Sequence, residues 1–253
     1  RLQRRGRERG VVGGAPQSES TPAAQTQPAG SQPANAFVIR DANGAEIATL
    51  DLDEEIVLGD PTAERTVIEL MDFGCQECRH ELELFQEIWK KHPRWFRLIC
   101  LMYPANKKCN PHTEREKPHA CESAEAALAV REHKPEVYTQ THLAFYRLQS
   151  TLTGNFAWQV AREMAQVDDA TLRAWQQDGR WLEKIRRHCE IGVKLQQRPG
   201  LPTLYANGVS FSGGDETQAQ LEKKLHALIG PPDGPASASA AGPASRAAGS
   251  VAQ

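Results

Sequence analysis

One point in the chain, where the spacing of apolar residues changes period, constrains the fold more than any other feature. The run "RTVIELMDF", Arg65 to Phe73, is short, β-branched and almost continuously apolar, the pattern of a strand buried on both faces. From Cys75 onward the apolar residues recur at helical spacing. Leu82, Phe85, Ile88 and Trp89 share one face, and Pro93 stops the pattern. "WFRLICLMYP" then reads as a second buried strand. Strand, helix and strand in so short a span predict a βαβ unit with parallel strands and a right-handed crossover.

The flanking sequence adds pieces to that unit. "AFVIRDANGAEIATL" holds two short apolar segments around Asn43-Gly44, a hairpin signal. After the second strand comes the polar connection "ANKKCNPHTEREKPHAC", and then amphipathic segments run from Cys121 to about Gln197. In this helical block Val137, Thr141, Phe145 and Leu148 mark one face, and Leu182, Ile185, Cys189 and Val193 mark another. Trp158, Trp175 and Trp181 are expected to pack within it. "LPTLYANGVSFSGG" returns to a β-pattern, with Asn207-Gly208 as a type I′ turn. "DETQAQLEKKLHALIG" closes with a helix whose expected N-cap is Asp215 and whose expected C′ residue is Gly230.

Composition sets the limits of the folded part. Of 253 residues, 40% are hydrophobic and 25% charged, enough for one substantial core. A mean hydropathy of -0.56 points to long solvated segments outside it. Residues 1–35 and 230–253, rich in Gly, Pro, Ala and Ser, lack the large apolar groups that offset ordering entropy, and are expected to be disordered. The folded domain is therefore expected over 36–229. A net charge of -2 gives no basic surface for nucleic acid. The opening "RLQRRGRERG" carries five arginines against one glutamate, which suits a membrane-flanking segment or a solvated tail. Because the sequence starts at Arg1, an upstream signal or membrane segment is expected.

Cys75 and Cys78 stand where the strand ends and the helix begins. A thiol there meets unpaired backbone N–H groups and the positive end of the helix dipole, which stabilise its thiolate. Cys78, one turn later on the same side, is placed to resolve a mixed disulfide, so the spacing suits dithiol exchange. A C-x-x-C pair also serves in metal sites. Cys109, His112, His119 and Cys121, or His80 beside the first pair, supply ligand types for zinc, although no second C-x-x-C follows. Cys100 and Cys189 sit in apolar patterns and are expected to be core residues. Glu69, an acid in an apolar strand, needs a partner or a shifted pKa, unless it lies on an edge and reaches solvent.

Two stretches carry a resemblance. "IVLGDPTAERTVIELMDFGCQECRHEL" and "GLPTLYANG" are similar, in order and spacing, to the opening and the cis-proline loop of the DsbA-like branch of the thioredoxin superfamily. The resemblance implies an α/β thioredoxin fold with a central mixed sheet. A helical insertion, about 118–197, would separate the βαβ half from the ββα half that carries the cis-proline. It implies a protein thiol-disulfide oxidoreductase with no cofactor beyond a redox-active Cys75–Cys78 disulfide. Cys75 would attack, Cys78 would resolve, Glu69 would relay the resolving thiol's proton, and Pro202 would face the disulfide as a cis-proline. Leu201 and Thr203, with Gln76 and Glu77, would meet substrate. Rivals are a dedicated reductase or carrier for one partner, and a non-catalytic binding module with a structural or zinc-loaded pair.

"YPANKKCNPHTEREKPHACESAEAALAV" further resembles the thioredoxin-like domains fused to bacterial vitamin K epoxide reductase-like proteins. This implies a second, structural disulfide between Cys109 and Cys121. It also implies an extracytoplasmic location in the bacterial periplasm or envelope, with tethering upstream of Arg1. Substrate proteins with thiols or disulfides, and a membrane redox partner of the vitamin K epoxide reductase or DsbB type, would be the partners. The Gln76-Glu77 dipeptide departs from the Pro-His of strongly oxidising members. A glutamate there opposes the thiolate, so a weaker oxidant than DsbA is expected.

Overall fold

The computed structural model describes residues 34–196 and 200–232, so most of the two expected disordered segments lies outside the described residues. β1 (Ala36–Arg40) and β2 (Glu46–Asp51) form an antiparallel hairpin, with Gly44 at φ +84° in its turn. The central sheet contains β3 (Ile56–Gly59), β4 (Thr66–Met71), β5 (Arg97–Met102), β6 (Thr203–Ala206) and β7 (Val209–Ser212), in the order β3-β5-β4-β6-β7. Only β4 and β5 run parallel; the other pairs are antiparallel, which makes the sheet mixed. Every residue of β4 is buried, as a central strand covered on both faces requires.

Helix α1 (Gln76–Lys91) connects β4 to β5 and buries Leu82, Phe85 and Ile88, as the helical spacing predicts. Phe85 stacks on Trp89, whose Nε1 donates to the Phe96 carbonyl at 3.0 Å. Each such side chain contributes roughly 1.5–3 kcal/mol of burial, and truncating Phe85 to alanine would cost about 3–5 kcal/mol. Gly59, at φ +79°, ends β3 where an added Cβ would meet Trp89 at 2.8 Å, so only glycine fits.

Five helices follow β5: α2 (Ala120–His133), α3 (Pro135–Arg147), α4 (Gly154–Ala165), α5 (Asp169–Gln177) and α6 (Arg180–Leu195). They are the expected insertion, with α6 packed against β5 and α7 (Gln218–Ile229) against α1. Trp158, Trp175 and Trp181 are buried within it, and Cys100 and Cys189 are buried free thiols.

The structure corrects three details. The buried residues of α6 are Trp181, Ile185, His188, Cys189, Ile191, Gly192 and Leu195, whereas Leu182 is only partly buried and Val193 is 43% exposed. Gly192 sets that rotation, because its bare Cα lets the helix approach Tyr103 and Leu70. His188 then becomes a core residue, accepting the Met102 N–H on Nδ1 at 3.1 Å and facing Glu55 from Nε2 at 3.0 Å. In α3 the buried set is Tyr138, Thr141, His142, Phe145 and Tyr146, and Val137 and Leu148 lie at its margin. Finally, α7 is capped by Thr217 rather than Asp215. Thr217 and Gln220 bond reciprocally in a capping box that an aspartate two residues earlier cannot make.

Candidate active site around Cys75

Cys75 is the N-cap of α1, with extended backbone (φ -88°, ψ 116°), and its Sγ accepts the Cys78 N–H at 3.0 Å. The sulfur thus occupies the place that a serine or aspartate oxygen takes in an ordinary cap, and it receives an otherwise unpaired amide of the first turn. Cys75 and Cys78 are joined by a disulfide with Cα atoms 5.2 Å apart. Cys78 is wholly buried, and Cys75, itself only 3% exposed, lines a cavity of about 340 Å³. Leu201, Tyr103, Lys117, Arg115 and Gln196 also border that cavity.

The backbone leading into the helix is fixed from three directions. Asp72, at the end of β4, accepts the Gly74 N–H on Oδ1 at 2.8 Å and the Ala105 N–H on Oδ2 at 3.1 Å. Gln149, after α3, donates from Nε2 to the carbonyls of Phe73 and Cys75 at 2.6 and 2.8 Å. Lys117 donates to the Gly74 carbonyl. Sequence reading passed over all three, because a polar residue in a loop or at a helix end carries no periodicity that would single it out.

The opposite wall is the loop before β6, where the Leu201–Pro202 peptide is cis. Pro202 is buried, and Leu201 shares the cavity with Cys75. Thr203 is buried, and its hydroxyl bonds to two residues that border that cavity, Gly200 and Gln196. Its hydroxyl donates to the Gly200 carbonyl at 2.7 Å, and the residue pairs with Leu70 and Ser212 in the sheet. Gln76 is exposed and borders a separate cavity with Arg79, His80 and Gln149. Glu77 is exposed too, with Oε2 3.7 Å from the Cys75 sulfur.

Glu69 is not on an edge: it is 2% exposed in the central strand, and its Oε1 has no hydrogen-bond partner. Burial, and then the nearby carboxyl of Glu81, push its pKa well above the ordinary carboxylate range. Glu81, fully buried on α1, is pushed up to about 7, chiefly by burial.

Cys109 and Cys121 form a second disulfide, with Cα atoms 5.9 Å apart. Both are wholly buried, so these sulfurs are bonded to each other rather than open to a metal. His112 points to Glu190 at 2.8 Å, and among the described residues no group of three metal-ligating side chains converges. No described helix is long and apolar enough to cross a membrane.

Comparison with known proteins agrees with this architecture. A family model described as Thioredoxin matches residues 51–227. Among solved structures, a thioredoxin-like oxidoreductase from Silicibacter pomeroyi is 23% identical, with a TM-score of 0.54 over 69% of this chain and 91% of its own. A periplasmic thioredoxin-like protein from Salmonella enterica serovar Typhimurium is 18% identical, with a TM-score of 0.54 over 69% and 90% of the two chains. A cysteine variant of alpha-DsbA1 from Wolbachia pipientis is 16% identical, with a TM-score of 0.56 over 71% and 92%. At these identities the likeness establishes the fold. No curated protein matches the chain in sequence.

Proposed function

Because this chain belongs to the thioredoxin family, whose match spans residues 51–227, we propose that it is a thiol-disulfide oxidoreductase acting on protein substrates through Cys75 and Cys78. The observation that carries this reading is the placement of Cys75. Its sulfur is the cap acceptor of α1 and opens into a cavity walled by the cis Leu201–Pro202 loop. A structural cysteine gains nothing from either arrangement, whereas a leaving thiolate gains from both.

In the oxidising direction a substrate thiolate attacks Cys75 Sγ. The Cys75–Cys78 bond breaks, and Cys78 leaves as a thiolate that takes up a proton. A second substrate thiolate then attacks the substrate sulfur of the mixed disulfide and releases Cys75, whose thiolate the Cys78 N–H stabilises. Two electrons pass from the substrate dithiol to the protein. The reducing direction runs these steps backwards. Glu69 fits the role of proton acceptor and donor for Cys78, as a buried carboxyl with an unpartnered oxygen. Leu201 offers its backbone to a bound peptide, with Gln76 and Glu77 at the rim and Thr203 supporting the loop from behind.

An extracytoplasmic setting is part of the proposal. A buried second disulfide and a structural neighbour described as periplasmic support it. A membrane redox partner of the DsbB or vitamin K epoxide reductase type would reset the pair. The deciding experiment is Cys78→Ser incubated with a disulfide-bonded peptide after reduction. A covalent adduct at Cys75, seen by mass spectrometry and released by dithiothreitol, is expected. Its absence, with Cys75 still alkylatable, would sink the exchange reading in favour of a structural pair.

A further inference from the structure

The helix that carries the cysteines is tied to the cis-proline loop through a side chain that the exchange steps do not use. Glu81 lies one turn beyond Cys78 on α1, and its Oε2 accepts the Gly214 N–H at 2.8 Å. The adjacent Gly213 N–H donates to the Pro202 carbonyl at 3.3 Å. The turn is shaped to this fit. A Cβ on Gly213 would stand 2.7 Å from Glu81 Oε2. Gly214, at φ +99°, has Glu77 Cβ and Pro202 Cδ where its own Cβ would go, at 2.7 and 3.2 Å. A continuous series of contacts therefore runs from α1 through Glu81, Gly214 and Gly213 to the carbonyl of Pro202.

A carboxylate is an expensive way to fill this position. Glu81 is fully buried, and its Oε1 has no hydrogen-bond partner. Leucine would fill the space without that cost. Of the carboxyls facing Glu81, Glu216 from the turn before α7 carries like charge, whereas burial holds Glu69 from β4 well above the ordinary carboxylate range. Glu77 lies against the same turn from α1. Lys224 on α7 opposes them but is already ion-paired with Glu216. Burial and Glu216 raise the pKa of Glu81, the Gly214 N–H and Lys224 lower it, and the balance stands at about 7. Burial outweighs the Gly214 N–H, so the closed turn favours the neutral carboxyl, whose oxygen still accepts that N–H, and ionisation loosens the contact.

We propose that Glu81 is a positioning residue for substrate capture, holding the Gly213–Gly214 turn, and through it the Pro202 loop, in register with Cys75, and doing so more firmly when neutral. This rests on the exchange function above and extends it to how a peptide backbone is gripped. The cis-proline loop matters to a disulfide embedded in a peptide and not to one without a backbone.

The test measures, with reduced full-length protein, the rates of exchange with a disulfide-bonded peptide and with 5,5′-dithiobis(2-nitrobenzoate). The ratio of the two rates cancels the thiolate fraction of Cys75. Expected is a ratio that falls several-fold from about pH 6 to about pH 8 in the unmodified protein and stays flat in Glu81→Gln, which keeps an oxygen acceptor. Glu81→Leu should lower the ratio about tenfold at about pH 6 while leaving the nitrobenzoate rate within about twofold. A ratio that neither variant changes, or both rates falling together, would overturn the positioning role while leaving the exchange function standing. If Glu81→Leu fails to fold, the pH profile of Glu81→Gln decides alone. No exchange with either probe by the unmodified protein overturns the exchange function and this inference with it.

Discussion

The molecule contains two disulfides that share covalent chemistry and differ in their surroundings. Cys75–Cys78 closes one helical turn, and its first sulfur accepts a backbone N–H while facing an open cavity. Cys109–Cys121 closes a loop of sequence separation 12, with both sulfurs buried and the Asn106 carbonyl oxygen 3.7 and 3.9 Å from them. A donor beside a sulfur favours its thiolate and a carbonyl oxygen disfavours it, so the first bond is built to open and the second to persist. The short ring of the first removes little chain entropy, whereas the second ties the connection after β5 to α2.

The sharpest way to break this contrast is to exchange the roles by mutation. Cys75→Ser should lower peptide exchange at least about a thousand-fold with little change in thermal stability. The double variant Cys109→Ala with Cys121→Ala should do the reverse. Its unfolding free energy should fall by about 3 kcal/mol in a urea titration, while exchange stays within about tenfold. Comparable loss of exchange in both variants would show that the second disulfide is not merely a staple.

The acids around the first pair sharpen the comparison further. Glu81 stands at about 7 in the folded chain against an ordinary 4.5. A raised carboxyl contributes stability that is fully present below the unfolded value and lost as pH rises through the folded one. Stability should therefore decline between about pH 4.5 and 7, by at most ~3.5 kcal/mol at ~1.4 kcal/mol per pKa unit. The decline should be shallower in Glu81→Gln, measured by urea unfolding across that range. The smallest effect expected is at Glu77, whose carboxylate lies 3.7 Å from Cys75 Sγ. Glu77→Gln should raise the reduction potential by roughly 20 mV, about 1 kcal/mol for two electrons. The unmodified protein should be less oxidising than DsbA, at about -120 mV. A value that high in a glutathione titration would discard the inference drawn from Gln76-Glu77.

Much of this was legible before any coordinates. The switch from a β-branched run to helical spacing at Cys75 placed β4 and α1 correctly, because both patterns are local and strong. The two Asn-Gly turns placed both hairpins for the same reason. The rotation of α6 was not legible, since it depends on Gly192 meeting Tyr103 and on a buried histidine finding Glu55 and the Met102 N–H. Hydrophobicity assigns histidine and glycine to no face. Thr203 matched a substrate-contacting position in the family pattern, but its hydrogen bonds to Gly200 and Gln196 are not encoded in the spacing of residues.

By itself the sequence determined the order of elements and the pair of cysteines at a helix start, because spacing along one chain encodes both, and its resemblance to family motifs implied the thioredoxin fold. Tertiary structure alone decided which residues hold that start in place. Lys117 and Gln149 reach the Cys75 segment from elements distant in sequence, and Asp72 within that segment is itself held by the Ala105 N–H after β5. Glu81 finds its partner 133 positions away at Gly214. A hydrogen bond is fixed by distance and direction between atoms, and neither is written in the spacing of residues until the chain has closed on itself.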